Sequence, residues 1–300
     1  MTKLDLTDIP EFIQPYRVDD PENFRLQDSD PADTGGFSAD FKEDAAQMLD
    51  ASIEWLAQQQ MMLAAQDRWS LLIIFQARDA AAGKDSTIRH VMSGLNPQGC
   101  QVTSFKRPHH EDLDHDFLWR YHRRIPARGE IGIFNRSYYE EVLIVQVHQE
   151  LLQTQKLPAE LIKPDIWSQR YADINNFERY LTHNGIQVLK FFLDVSAKEQ
   201  KERFRERLEQ PEKHWKFSEA DIHERRFWDD YSRVYEETIR ATSTEYAPWY
   251  VIPADKKWFT RLLVAAVLVA KMSSLELAFP QVKGEAKKAL RKARKDLEDL

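Results

Sequence analysis

Residues 71–91 read LLIIFQARDAAAGKDSTIRHV, and this stretch decides the fold class. Residues 71–75 form a short, continuous apolar run, as a strand buried on both faces requires. The run passes into small residues ending in Gly83-Lys84, after which the chain has helical character. Small residues let successive backbone N–H groups curl around an anion. A new helix then points its positive N-terminus at that anion, and one lysine bridges the outer phosphates. The expected ligand is a phosphoryl group. The strict P-loop pattern has glycine where Arg78 stands and a hydroxyl where Asp85 stands, and a Gly-Lys pair also occurs in loops that bind nothing. Asp79 beside a bound phosphate would repel it unless it holds Mg²⁺ or orients an attacking oxygen. The plainer alternative is a turn aspartate capping local N–H groups.

Further apolar runs at 101–105, 131–134, 187–195 and 249–253 alternate with helical segments, which predicts an α/β fold with a parallel sheet and helices on both faces. A leading helix is expected from about 41 to 66. Prolines at 10, 15, 21 and 31 with Gly35-Gly36 make residues 1–37 an extended arm with little regular structure. One domain is expected over 38–275, with a lid over about 196–230 and a charged helix over 276–300. The 300 residues carry a net charge of −7, which argues against a surface built wholly for nucleic acid. Cys100 is the single cysteine, so neither an internal disulfide nor a cysteine metal cluster is available. MTKLDLTDIPEF lacks a secretory pattern, and the apolar stretch 262–270 is too short to span a bilayer. A cytoplasmic protein with no membrane partner is expected.

Three more segments carry candidate chemistry. Residues 105–130, FKRPHHEDLDHDFLWRYHRRIPARGE, hold Lys106, Arg107, Arg120, Arg123, Arg124 and Arg128 among four histidines. They read either as a groove for a long anion or, given five acids in the same stretch, as a mixed-charge surface helix. Residues 132–143, GIFNRSYYEEVL, deliver Asn135, Arg136 and Ser137 at the end of a buried strand, where open parallel sheets bind ligands. Glu140 and Glu141 then begin the next helix, either to hydrogen-bond a base or to complement the helix dipole. Residues 196–216 hold seven Lys or Arg and five Glu, a solvated helix in part and a cationic lid in the surplus.

The chain resembles the polyphosphate kinase 2 family, in the branch acting on nucleoside mono- and diphosphates, from about residue 35 to 275. Four blocks carry the resemblance: QARDAAAGKDSTIRHVMSGLNPQG (76–99), SFKRPHHEDLDHDFLWRYHRRIPARGEIGIFNRSYYEEVL (104–143), KHWKFSEADIHERRFWDDY (213–231) and TSTEYAPWYVIPADKK (242–257). It implies a thymidylate-kinase-like P-loop core with a helical lid, Mg²⁺ or Mn²⁺ dependence, a homo-oligomer, and transfer of a terminal phosphoryl group from inorganic polyphosphate to AMP or ADP, with ATP among the nucleotides handled. By position, Asp79 (as metal ligand) and Lys84 fall in its first phosphate motif, with Ala80, Ala81, Ala82, Gly83, Asp85 and Ser86 around them. Asn135 and Arg136 fall in its second. Arg203 and Arg207 lie in the lid, facing phosphates, and Lys106, Arg107, Arg120 and His122 in a region that resembles part of the polyphosphate channel. The family's turn reads G-x-D-A-A-G-K, so this chain has one alanine more. If the longer loop is a defect, deleting Ala82 is expected to raise turnover. Two other functions fit the residues: an ATP-dependent nucleoside monophosphate kinase and a non-catalytic polyanion or nucleotide binder.

Overall fold

The computed structural model describes residues 8–216 and 218–299; the first seven residues of the arm and Phe217 of the expected lid lie outside them. Five strands form one parallel sheet: β1 (Ser70–Gln76), β2 (Cys100–Ser104), β3 (Ile131–Asn135), β4 (Ile186–Asp194) and β5 (Trp249–Pro253), ordered β2-β3-β1-β4-β5. Each expected strand is present, and all seven residues of β1 are buried, as its uninterrupted apolar run demands. β1 aligns Phe75 with Asn135 on one side and with Phe191 on the other. The chain visits the β2-β3 side of β1 and then crosses to β4, so a crevice opens at the C-terminal end of β1, where such sheets bind ligands.

Alternate side chains of β1 serve two cores. Leu71, Ile73 and Phe75 pack with the face covered by α2 (Lys42–Gln66), α3 (Lys84–Val91) and α7 (Lys257–Ser273). Leu72 and Ile74 face α4 (Ile166–His183) and α6 (Trp228–Thr242). Between them in chain order, α5 (Ala197–Glu209) begins the lid segment, its N-cap Ser196 accepting the Glu199 N–H at 3.1 Å. Among the described residues no helix is long and apolar enough to cross a membrane.

The arm is more regular than its prolines suggest. Helix α1 (Ile9–Ile13) carries Pro10 in its first turn, where a missing N–H costs nothing, and buries Ile9 and Ile13. Farther on, Val18 N–H reaches Trp249 O at 2.9 Å, pinning the arm to β5. At the other terminus, α8 (Gly284–Glu298) is exposed throughout.

One charged pair lies inside the second core. Lys190 Nζ, fully buried on β4, donates to Glu178 Oε2 at 2.6 Å, to Thr242 O at 2.6 Å and to the Tyr139 hydroxyl at 2.9 Å. Glu178 Oε1 accepts from the hydroxyls of Tyr138 (2.9 Å) and Tyr139 (2.8 Å). All three ammonium hydrogens and both carboxylate oxygens thus have partners, and the two tyrosines preceding Glu140 are fixed from below. Lys190→Met strips one partner and leaves a buried carboxylate uncompensated, so it should lower unfolding free energy by about 3–5 kcal/mol in urea titration; an unchanged midpoint would show that the pair carries no stability.

Candidate active site

After Gln76 the chain turns through Asp79 into one 3₁₀ turn, Ala80–Ala82. Asp79 caps it: Oδ1 accepts the Ala81 N–H at 2.6 Å and the Ala82 N–H at 3.2 Å. Gly83 follows at φ +88°, a backbone state that disfavours any side chain, and α3 starts at Lys84. Ala81 and Ala82 are each 2% exposed, and Ala82 packs into the first core. The longer loop is thus built into the packing.

Lys84 is buried beneath this turn, its Nζ donating to the Asp79 carbonyl at 2.8 Å. Burial, reinforced by the Arg136 charge, lowers its pKa to about 8, against the pull of Glu140, Asp79 and Asp85. Across the β1-β3 register, Asn135 Nδ2 donates to Asp85 Oδ1 at 2.6 Å. Arg136 follows at φ +65°, an unusual conformation for a non-glycine residue and one that recurs where function holds a side chain in place. Its guanidinium lies 3.4 Å from Glu140 Oε2, and the Glu140 charge raises its pKa. Glu140 Oε1 accepts from Gln76 Nε2 at 3.1 Å. Ser86 points elsewhere, its hydroxyl accepting from Arg261 of α7 at 3.0 Å.

The lid closes over the loop. Gln200 donates to Asp79 Oδ2 and accepts from Arg225. Arg203 does not face the crevice as expected of a lid cation. It is buried, and it donates to the carbonyls of Ala81 (3.0 Å), Ala254 (2.6 Å) and Asp255 (3.2 Å), with Nε on Glu199 at 2.9 Å. Four of its five N–H donors are taken by these acceptors, so it braces the loop. Arg207 lies 3.8 Å from Asp221. Burial raises the Asp221 pKa against the Arg207 charge, and Asp221 lines a small pocket with Asp79, Gln200 and Arg225.

Beside Arg136 opens a cavity of about 430 Å³ whose lining includes Lys106, Arg107, Arg120, Arg136, Glu140 and Glu141. Glu140 and Glu141 stand on a 3₁₀ turn, Tyr138–Glu141, where an α-helix was expected; Ser137 caps it through the Tyr139 N–H at 3.2 Å. Glu141 forms the floor, accepting from Tyr121 (3.0 Å) and Gln155 (2.6 Å), and burial raises its pKa. Arg120 donates to Lys106 O at 2.8 Å and lies over the Tyr121 ring. His122 stands apart, exposed, with its ring against Phe177. A slightly larger cavity, about 490 Å³, lies between the arm and β5 and is lined by aspartates, which disfavours phosphate there.

Sequence reasoning missed Gln76, Gln200, Asp221, Arg225 and the Arg78–Asp194 pair. Arg78 is sandwiched between Phe192 (5.1 Å) and Trp228 (4.7 Å) while its guanidinium bridges to Asp194. A glutamine closing an otherwise apolar strand was a usable signal; the others depend on tertiary placement.

A family described as Polyphosphate kinase 2 (PPK2) matches residues 38–280. The chain belongs to the polyphosphate kinase 2 family. It is 46% identical over 283 residues to the ADP-polyphosphate phosphotransferase of Rhodopseudomonas palustris, spanning 92% of this chain and 98% of the relative. It is 44% identical over 269 residues to the AMP/ADP-polyphosphate phosphotransferase of Meiothermus ruber, spanning 90% and 96%. The crystal structure of polyphosphate kinase 2 from Arthrobacter aurescens TC1 superposes with a TM-score of 0.83 at 39% identity, covering 92% of this chain and 95% of that one. The α/β P-loop kinase fold expected from the resemblance is therefore the fold of this family member.

Two outcomes follow from the loop. Lys84 must be charged to hold phosphate, so kcat/KM, which reports the free enzyme, should fall as pH rises through about 8. Lys84→Arg, whatever its absolute rate, should lack that limb, because guanidinium stays protonated. A limb retained in the arginine variant assigns the titration to another group. For the loop length, packing reverses the expected gain: deleting Ala82 removes a buried methyl group and one of the two N–H bonds to Asp79. Turnover should drop by roughly 10²-fold through misplacement of Lys84, with a lower thermal midpoint. Increased turnover would restore the view of the loop as a defect.

Proposed function

We propose that this family member transfers the terminal phosphoryl group of inorganic polyphosphate directly to AMP or ADP, without a covalent enzyme phosphate. The observation that carries the reading is a cavity that gathers Lys106, Arg107, Arg120 and Arg136 with the Glu140–Glu141 turn, beside a phosphate loop whose buried Lys84 feels the charges of Arg136 and Glu140. Its volume, about 430 Å³, lies in the range of small-molecule sites. The names of the Rhodopseudomonas and Meiothermus relatives point to the same donor and acceptors. Lys84 and Arg136 would neutralise charge on the oxygens of the group in transit, and the fixed loop would align it for in-line attack.

Mg²⁺, or Mn²⁺ in its place, belongs to this reading. Among the described residues no cluster of three or more His, Cys, Asp or Glu can hold a metal unaided. Asp79 and Asp85 both act on Lys84 and so flank the phosphate position. Two carboxylates completed by substrate oxygens and water suit Mg²⁺, which keeps much of its hydration. When bound, the ion would neutralise charge on the phosphoryl oxygens. Asp79 would first have to exchange its Gln200 partner or share an oxygen with it. A cytoplasmic location and assembly as a homo-oligomer complete the proposal; ATP would be the second product, and nucleic acid and membranes are not proposed partners.

The test is incubation with AMP and long-chain polyphosphate, without ATP, in Mg²⁺, in Mn²⁺ and in chelator. ADP and then ATP should form with either metal and vanish with chelator. ADP formed only when ATP is the donor would make the protein an ATP-dependent nucleoside monophosphate kinase. Polyphosphate binding without any product would make it a binder.

A further inference from the structure

Helix α8 lies beyond residues 38–280, the span matched by the family. Residues 286–295 read AKKALRKARK, with no acid among them, in a chain of net charge −7. At about 100° of rotation per residue, Lys287, Lys288, Arg291, Lys292, Arg294 and Lys295 fall within roughly 160° of arc. Leu290, Leu297 and three alanines occupy the other side. Every described residue of the helix is exposed. Among the described residues only Arg294 of the six cations has an ion pair, with the exposed Glu298 at 3.4 Å.

We propose that α8 is a second docking site for the polyphosphate substrate, a tethered cationic face that holds the distal part of a long chain while its end sits at Lys84. The proposal rests on the polyphosphate reading above. A row of cations on one helix face matches a linear polyanion in sign and in shape, without any sequence to be read. Because α8 is joined covalently to the catalytic domain through 274–283, a chain held at one site reaches the other at high effective concentration. The other occupants are less well supplied. Self-association would have to use two leucines alternating with alanines, flanked by Lys287 and Arg294 at positions where like charges repel. A membrane surface calls for aromatic and bulky apolar anchors, and α8 carries no aromatic residue.

The experiment compares the full chain with the variant Lys287→Gln, Lys288→Gln, Arg291→Gln and Lys292→Gln in that same full chain. KM for long-chain polyphosphate should rise roughly tenfold, with kcat and the KM for short oligophosphates unchanged and a weaker salt dependence. Equal KM values for the long chain in both proteins would overturn the proposal, as would a matching loss with short chains. Retention of labelled polyphosphate, duplex DNA and anionic vesicles is measured in parallel. A variant that loses DNA or vesicles but keeps polyphosphate would also overturn it. Leu290→Ser with Leu297→Ser should alter neither the long-chain KM nor the particle size; a joint change would assign the face to self-association. An intact protein with no turnover on any polyphosphate length sinks the functional reading alone, because the retention comparison still reports on α8.

Discussion

A lysine buried under the phosphate loop is costly, and the surrounding residues are organised by that cost. Lys84 has lost most of its hydration and faces Arg136, and both effects weaken its hold on its proton. Three carboxylates, Glu140, Asp79 and Asp85, act in the opposite direction. Each is held by a neutral amide: Gln76 on Glu140, Gln200 on Asp79, Asn135 on Asp85. Amide partners orient a carboxylate without cancelling its charge, so the field at Lys84 survives. A bound phosphate would place its negative charge beside Lys84 and Arg136, and that attraction favours binding before any specific contact is counted.

The same requirement explains the use made of Arg203. The Ala80–Ala82 turn presents backbone carbonyls, and buried carbonyls need donors. Arg203 reaches Ala81 within the loop and Ala254 and Asp255 at the end of β5, joining the loop to the sheet edge. The planar guanidinium, with five donors in a fixed fork, suits that task better than an ammonium would. Its position on α5 therefore serves rigidity, while Arg207 pairs with Asp221 at 3.8 Å.

The strands were legible because each is a contiguous apolar run, and the phosphate loop because small residues leading into a helix have few other physical meanings. The register that sets Asn135 beside Phe75 then follows from parallel pairing of two such runs. Side-chain direction was not legible. Arg203 and Arg207 are four residues apart on one helix, and only packing separates a buried brace from a residue paired with Asp221. His122 lies in a basic stretch with Arg120, yet a single helical turn sends Arg120 to the Lys106 carbonyl and His122 to Phe177. The 3₁₀ turn under Glu140 and Glu141 was hidden for another reason: it is imposed by Tyr138 and Tyr139, whose hydroxyls are claimed by Glu178 across the core. No local propensity encodes a partner 39 residues away.

Charge is partitioned across the molecule in a way that an overall value of −7 conceals. Aspartates 19, 20, 28, 30 and 33 of the arm line one cavity, and Asp194 joins them. The other sets Lys106, Arg107, Arg120 and Arg136 against Glu140, Glu141, Glu150 and Glu224. Of the two, acids outnumber cations only in the arm's cavity, so a polyanion is less disfavoured on the β3 side, where Asn135 and Arg136 emerge. Net negative charge away from the crevice also disfavours adsorption of other polyanions over the general surface. An acidic protein that gathers four cations in one cavity is thus better suited to admitting one anionic chain at one place than a uniformly basic protein would be.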